Sequence, residues 1–95
     1  MEKVKIFYQE RCPFCIKAFE YIRQLTAENP EFAKIDISTV DELKEPDYAD
    51  KFDYYYVPTF YIGDRKAHEG GIYKEEVRRL LQSVIDGTEY VMTEN

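Results

Sequence analysis

The stretch Cys12-Pro13-Phe14-Cys15 lies where the hydrophobic pattern changes its period, and it decides the fold of this chain. Before it, Val4, Ile6 and Tyr8 alternate with lysines, which predicts a short strand over residues 3–8. After it, apolar residues recur at helical spacing on one stripe, which consists of Cys15, Ala18, Phe19, Ile22 and Leu25. We therefore predict a strand followed by a helix that begins at Pro13 and ends at Asn29-Pro30.

Cys12 is predicted to cap this helix, because proline is favoured at the first helical position. A cap residue faces unpaired backbone N–H groups and the positive end of the helix dipole. Both favour a thiolate over a thiol at Cys12. The neighbouring charges act in opposite directions, since Arg11 favours the thiolate and Glu10 opposes it.

The spacing of the two cysteines suits thiol–disulfide exchange. A step of three residues on a helix brings the second sulfur within reach of the first. Cys12 is then predicted to attack a substrate disulfide, and Cys15 to resolve the mixed disulfide by attacking Cys12. Because Cys15 belongs to the apolar stripe, we expect it to be the more buried and the less reactive cysteine.

Two other interpretations of the cysteine pair stay open on spacing alone. A structural zinc site needs about four ligands, and the chain offers only Cys12, Cys15 and His68. The cysteines could also be ordinary core residues. A structural disulfide is disfavoured in a cytoplasmic chain, because that compartment keeps thiols reduced.

Charge and hydropathy exclude several function classes. The net charge is −6, from 19 acidic and 13 basic residues, whereas proteins that bind nucleic acid carry a basic surplus. No apolar run reaches the roughly 18 residues that span a bilayer. The charged start, Met1-Glu2-Lys3-Val4-Lys5-Ile6, differs from the apolar stretch of a signal peptide. We expect a cytoplasmic protein with neither nucleic acid nor membrane among its partners.

The middle of the chain predicts a strand and then a helix. Alternating apolar residues over 33–37 predict the second strand. Thr39 followed by Glu42 is typical of a capping box, which would open a helix over residues 41–52. Pro46 either interrupts that helix or is the first residue of a shorter one.

The last third predicts a hairpin and a helix. Thr59–Ile62 and Arg65–Glu69 are predicted antiparallel strands, because Gly63-Asp64 between them is a hairpin signal. An apolar stripe that begins at Tyr73 predicts a helix closed by Gly87.

The predicted order is β-α-β-α-β-β-α, an α/β fold with a four-stranded mixed sheet flanked by helices. The alternation of strand and helix in the first half implies a parallel crossover, and the hairpin adds the antiparallel part. We predict one domain over residues 1–87, followed by a loosely held tail over residues 88–95.

Three motifs occur in an order and at spacings known from one family. Cys12-Pro13-Phe14-Cys15-Ile16-Lys17-Ala18 is similar to the glutaredoxin active-site run, where Cys-Pro-Tyr/Phe-Cys precedes an Arg/Lys-Ala pair. Val57-Pro58-Thr59 lies where the thioredoxin superfamily has its cis-proline. Gly70-Gly71 lies where glutaredoxins turn from the last strand into the last helix. The chain thus resembles the thioredoxin superfamily over nearly its whole length, and the glutaredoxins most of all.

The resemblance implies a thioredoxin-like fold in which Pro58 is cis and holds the Val57 backbone extended beside Cys12. There the backbone can pair with a bound peptide or with glutathione as an added strand. Phe14 is expected to be exposed, as befits a contact with partners. The predicted substrate-binding residues are Arg11, Phe14, Val57, Pro58, Gly70 and Gly71.

The chain departs from the glutaredoxin pattern at two glutathione contacts. Glutaredoxins commonly have a basic residue three or four positions before the first cysteine, where this chain has Gln9 and Tyr8, with Arg11 as the nearest substitute. They also tend to have an acid three residues after the second glycine, where this chain has Lys74 followed by Glu75. The run Pro58-Thr59-Phe60, by contrast, is closer to thioredoxin usage.

Two further features have an ordinary structural interpretation beside a functional one. Tyr54-Tyr55-Tyr56 leads directly into Val57-Pro58, and its rings either form an aromatic surface at the site or fill the core and the sheet edge. His68 is interpreted as an ordinary residue near a strand end.

We therefore predict a glutaredoxin-like dithiol reductase, with a role in electron transport and cell redox homeostasis. Its expected partners are proteins that contain disulfides, with glutathione or a thioredoxin reductase as electron donor. The alternative is a thioredoxin-like protein reduced by a flavoprotein reductase and not by glutathione, or else a non-catalytic or zinc-binding module. We expect a monomer with no metal and no tightly bound cofactor, glutathione serving only as reductant.

Overall fold

A computed structural model describes residues 1–91 of the chain. Its elements are β1 (Val4–Tyr8), α1 (Pro13–Glu28), a 3-10 turn (Pro30–Lys34), β2 (Ile37–Asp41), α2 (Pro46–Ala49), β3 (Thr59–Ile62), β4 (Arg65–Glu69) and α3 (Lys74–Asp86). The four strands form one sheet in the order β2-β1-β3-β4. β1 is parallel to β2 and antiparallel to β3, which is antiparallel to β4. The predicted α/β class and mixed sheet are confirmed.

The core lies on both faces of the sheet. Successive residues of a strand point to opposite faces, and accordingly the buried Ile6 and Phe7 belong to two different apolar clusters. The larger cluster contains the buried faces of α1 and α3, including Leu25 and Leu80. The smaller one is aromatic, and there Phe7 packs against Phe52, Tyr54 and Tyr61. No helix within residues 1–91 is long and apolar enough to cross a membrane.

The predicted second strand is misplaced. Residues 30–34 form the 3-10 turn, and the strand begins only at Ile37. The Asn29 side chain caps that turn by accepting a hydrogen bond from Glu31 N at 3.1 Å. Phe32 and Ile35 are both buried, and their spacing of three residues is that of a helical turn. The alternation over residues 33–37 therefore predicted the wrong buried residues, since Phe32 and Ile35 are the ones that pack.

The predicted helix over residues 41–52 is also wrong in extent. Thr39 lies in β2 opposite Ile6, so it does not open a helix. After β2, the Asp41 side chain accepts a hydrogen bond from Leu43 N at 2.9 Å and forms a turn. Only Pro46–Ala49 is helical, with proline as its first residue, which is the shorter alternative.

The hairpin and the last helix follow the prediction. β3 and β4 have the predicted bounds, and Gly63 between them has a positive φ of 58°. Helix α3 has Tyr73 as its N-cap, and Gly87 closes it in the left-handed conformation with φ 71°.

The predicted tail is anchored where the structure describes it. Tyr90 is buried in the larger cluster, and the Arg79 guanidinium lies 5.2 Å from the centre of its ring. Arg79 also donates to Val91 O at 2.9 Å. The segment is thus not loosely held as far as Val91, whereas residues 92–95 lie outside the described part. The domain boundary at residue 87 stays a prediction.

Candidate active site

Cys12 caps helix α1, as predicted. Its backbone is extended, with φ −78° and ψ 115°, and Pro13 is the first helical residue. Cys15 N donates a hydrogen bond to Cys12 Sγ at 3.3 Å. The sulfur therefore lies against the unpaired N–H groups of the first turn and the positive end of the helix dipole, where a negative charge is stabilised.

Cys15 lies in a different environment, although it is only one turn further along. Its side chain is fully buried, whereas Cys12 is partly exposed, and both cysteines are free thiols. Burial, followed by a hydrogen bond with Cys12, raises the pKa of Cys15 to about 12. At neutral pH Cys15 is accordingly a protonated, shielded thiol.

The residues before β3 approach Cys12 from the other side. The Val57–Pro58 peptide bond is cis, as the resemblance implied. Cys12 Sγ lies 3.8 Å from Val57 O. Within residues 1–91, the N–H of Val57 has no backbone hydrogen-bond partner. The Val57 carbonyl thus lies beside the partly exposed sulfur, and the N–H of the same residue has no backbone partner among residues 1–91.

The two glycines link this backbone to the cysteine loop. Gly70 N donates to Pro58 O at 2.8 Å, and Gly70 has a φ of 91°, which favours glycine. A Cβ on Gly71 would lie 3.2 Å from a ring carbon of Phe14, so the ring packs closely on this glycine. Phe14 is nevertheless 62% exposed, as predicted.

Five of the six predicted substrate-binding residues are brought together at the site. Val57 lies next to Cys12, Pro58 bonds Gly70, and Phe14 packs on Gly71. Arg11 is the sixth. Its side chain is exposed and makes no hydrogen bond or ion pair within the described part of the chain. It lies next to Cys12 in sequence and leaves a cationic group open to solvent there.

The residues at the glutathione-contact positions have other partners. The Gln9 amide donates a hydrogen bond to Glu42. The Lys74 ammonium pairs with Glu28 at 2.8 Å, and this contact lowers the pKa of that carboxyl. Glu75 pairs with Arg78 at 3.0 Å on the next turn of α3. These side chains are therefore engaged within the fold.

The three consecutive tyrosines divide between the core and the surface. Tyr54 stacks on Phe7 with ring centres 4.8 Å apart and donates from its hydroxyl to Glu42 at 2.7 Å. Burial and this hydrogen bond raise the pKa of Tyr54 above its ordinary value, so the hydroxyl remains a donor. Tyr55 and Tyr56 are 86% and 71% exposed. Tyr54 is thus partly buried against the aromatic cluster, and the other two rings face solvent next to the Val57 backbone.

Sequence reasoning missed Glu69, the last residue of β4. Its carboxylate accepts hydrogen bonds from Tyr55 N at 2.6 Å and from Tyr56 N at 3.0 Å. No local pattern marks this role, since an acid before Gly-Gly is compatible with a simple exposed position.

His68 is buried within β4, next to the last residue of that strand. Its Nε2 lies 2.9 Å from Gly71 O. Among residues 1–91, no group of three or more His, Cys, Asp or Glu side chains is placed so that it could hold a metal ion.

Comparison with solved structures identifies the fold. The germline-specific thioredoxin Deadhead from Drosophila melanogaster superposes with a TM-score of 0.65 at 15% identity, covering 87% of this chain and 80% of its own. An uncharacterised thioredoxin-like protein from Clostridium perfringens gives a TM-score of 0.65 at 22% identity, covering 100% of this chain and 79% of its own. No protein-family model and no curated protein sequence matches the chain.

The protein therefore has a thioredoxin-like fold, with two cysteines at the start of its first helix and a cis-proline opposite them. At these identities, the similarity shows the fold alone. The chemistry has to be argued from the site.

Proposed function

We propose that this protein is a thiol–disulfide oxidoreductase that reduces protein disulfides through a Cys12/Cys15 dithiol–disulfide cycle. One observation carries the proposal: a partly exposed sulfur that accepts a hydrogen bond from a helix N-terminus, one turn from a second, buried thiol. The exposed sulfur is suited to attack, and the buried one to resolution.

The cycle transfers two electrons to the substrate. Cys12 as thiolate attacks one sulfur of the substrate disulfide, which forms a mixed disulfide and releases the other sulfur as a thiolate that takes up a proton. Cys15 loses its proton and attacks Cys12 Sγ, which releases the second substrate thiol and leaves a Cys12–Cys15 disulfide. The substrate disulfide is thereby reduced, and the two cysteines are oxidised.

The raised pKa of Cys15 fits the order of these steps. Part of the rise comes from the hydrogen bond and the charge of Cys12. Once Cys12 is in a mixed disulfide, its sulfur is neutral, so the charge contribution disappears. Cys15 is thus less reactive before substrate binds than after it, which limits premature reaction at the buried sulfur.

The surface around Cys12 supports proteins as substrates. The free N–H of Val57 and its carbonyl next to the sulfur can pair with an extended peptide as an added strand. Near this backbone, exposed aromatic rings offer apolar contacts to a chain larger than a small thiol. These rings are Phe14, which packs on Gly71, and Tyr55 and Tyr56, which directly precede Val57.

This proposal has two forms, which differ in the electron donor. A glutaredoxin-like enzyme takes its electrons from glutathione, and the Cys12-Pro13-Phe14-Cys15 motif supports that form. The alternative is reduction by a flavoprotein thioredoxin reductase. It is supported by Gln9 and Lys74, which bind Glu42 and Glu28 and occupy positions where glutaredoxins contact glutathione.

We keep the cytoplasm as the proposed compartment, because two free cysteines that must return to the reduced state suit a reducing environment. The protein is proposed to act as a monomer.

Substitution of the attacking sulfur tests the proposal. Cys12→Ser is expected to abolish reduction of a peptide disulfide, because a serine hydroxyl is not ionised at neutral pH. The rate is measured with each electron source in turn: glutathione with its reductase, and NADPH with thioredoxin reductase. Circular dichroism checks that the variant is folded. Undiminished activity in folded Cys12→Ser with either source would overturn the proposed mechanism.

A further inference from the structure

The 55–58 segment, which carries the backbone next to Cys12, is not part of a strand or helix. It lies between the aromatic cluster and the start of β3. A segment without regular backbone pairing needs other contacts to hold one conformation. Glu69 supplies such contacts from the neighbouring strand, where it is the residue opposite Thr59.

Both oxygens of the Glu69 carboxylate are used. Oε2 accepts from two consecutive backbone groups, Tyr55 N at 2.6 Å and Tyr56 N at 3.0 Å. Oε1 accepts from the Lys66 ammonium at 2.8 Å. These contacts hold the pKa of the Glu69 carboxyl below its ordinary value, so the group is charged at neutral pH. Hydrogen bonds to a charged acceptor are stronger than neutral ones.

Two further hydrogen bonds complete the attachment of the segment. The Thr59 hydroxyl donates to Tyr56 O, and Gly70 N donates to Pro58 O at 2.8 Å. Between these attached residues lies Val57, whose carbonyl oxygen is 3.8 Å from Cys12 Sγ. The position of the Val57 backbone relative to the sulfur is therefore fixed from both ends, and Glu69 fixes the N-terminal end.

We propose that Glu69 is a positioning residue, which holds the 55–58 segment so that the Val57 backbone and the Tyr55 and Tyr56 rings are in place to bind a peptide disulfide next to Cys12. This inference rests on the proposed function, since it concerns how that site binds its substrate. Glu69 does not touch the reacting sulfurs and acts only through the segment.

Loss of the carboxylate has a specific consequence. Without an acceptor, the N–H groups of Tyr55 and Tyr56 turn to water, and the segment samples other conformations. A peptide substrate must then order the segment when it binds, which raises KM. The sulfur chemistry at Cys12 and Cys15 is unchanged, so kcat is unchanged.

Three variants separate this role from a general loss of charge. Glu69→Ala removes the acceptor, and Glu69→Gln keeps a neutral one. Lys66→Met removes the ion pair and leaves both backbone hydrogen bonds. Glu31→Ala is the matched control, because Glu31 also pairs with a lysine three residues away, Lys34, but bonds no loop backbone.

Steady-state kinetics on a peptide disulfide give the first measurement. We expect Glu69→Ala to raise KM about tenfold with kcat within about twofold, and Glu69→Gln to raise KM about threefold. Lys66→Met and Glu31→Ala should leave KM within about twofold. A small aromatic disulfide that cannot pair with the backbone should be reduced at the same rate by all variants.

Amide hydrogen exchange measured by NMR gives a second measurement, which does not depend on activity. The amides of Tyr55 and Tyr56 should lose protection in Glu69→Ala, whereas that of Phe60 in β3 keeps it. Unchanged protection, or an unchanged KM in an active protein, would overturn the role of Glu69. A wild-type protein that reduces no disulfide would instead overturn the proposed function, and the exchange data would then still show whether Glu69 holds the segment.

Discussion

The two sides of the candidate site are built in different ways. On the helix side, the cap, the proline and the second thiol all lie within Cys12-Pro13-Phe14-Cys15, and one hydrogen bond between residues three apart joins them. On the loop side, the 55–58 segment is held by Glu69 and Gly70, which lie more than ten residues further along the chain. The proposed attacking sulfur therefore depends on local backbone geometry, and the proposed substrate-binding backbone depends on tertiary contacts.

This difference predicts that the reactivity of the cysteines and the binding of substrate can be changed independently. Changes on the helix side should alter the reactivity of the cysteines, and changes on the loop side should alter substrate binding with little effect on reactivity. Cysteine reactivity and substrate binding can both be measured in the same protein.

The largest expected effect lies on the helix side, in the difference between the two thiols. Cys15 is fully buried and has a pKa of about 12, so at neutral pH only a minute fraction of it is thiolate. We expect iodoacetamide at pH 7 to alkylate Cys12 at least about a thousandfold faster than Cys15. Because the pKa is raised, the Cys15 rate should increase about tenfold per pH unit as far as pH 12.

Mass spectrometry of alkylated peptides over time measures both rates. In the Cys12→Ser variant only Cys15 can be alkylated, and because burial is the largest cause of its raised pKa, its rate should stay far below that of Cys12 in the unaltered protein. Equal rates at the two cysteines in the folded protein would contradict the assignment of Cys12 as the attacking residue.

The tyrosines test the loop side with a smaller effect. Tyr54→Phe removes the hydrogen bond to Glu42, so the free energy of unfolding should fall by about 1 kcal/mol while KM for a peptide disulfide stays the same. Tyr56→Ala removes an exposed ring, so KM should rise about threefold with little change in stability. Denaturant unfolding and steady-state kinetics give the two quantities. A raised KM in Tyr54→Phe, with a loss of stability only in Tyr56→Ala, would assign substrate binding to Tyr54 and contradict this division of roles.

The smallest effect is a titration on the loop side. The Glu69 pKa is lowered in the folded protein, chiefly by Lys66 and further by the two backbone N–H groups. Its stabilisation of the segment is thus fully present above the ordinary Glu pKa of about 4.3 and is lost as pH falls through the lower folded value. The amide chemical shifts of Tyr55 and Tyr56 should both titrate with one midpoint below about 4.3.

Glu69→Gln is the control for this titration, since its amide does not ionise, and the two shifts should then stay flat. A midpoint above the ordinary value, or titration that persists in Glu69→Gln, would show that another group controls these amides.

The sequence predicted the helix side because its signals are local. Pro13 placed Cys12 at the cap, and the helical stripe placed Cys15 in the core, as the structure shows. The β3–β4 hairpin was predicted for the same reason, since Gly63-Asp64 specifies a turn between adjacent strands. The cis bond at Pro58 followed from resemblance and not from any local pattern.

The parts that sequence reasoning missed depend on tertiary context. Residues 33–37 alternate like a strand, but the capped turn after Asn29 and the burial of Phe32 decide otherwise. Three identical tyrosines gave no basis for separating Tyr54 from its neighbours, because only packing against Phe7 distinguishes it. The role of Glu69 depends on the strand register that sets it opposite Thr59, and register is fixed only when the sheet forms.

The most direct test of the central claim, that Cys12 attacks and Cys15 resolves, is a trapping experiment with Cys15→Ser. Without the resolving thiol, the mixed disulfide should persist, and mass spectrometry should find the substrate peptide attached to Cys12. Cys12→Ser under the same conditions should trap nothing. A substrate adduct on Cys15 in Cys12→Ser, with no adduct on Cys12 in Cys15→Ser, would contradict the account.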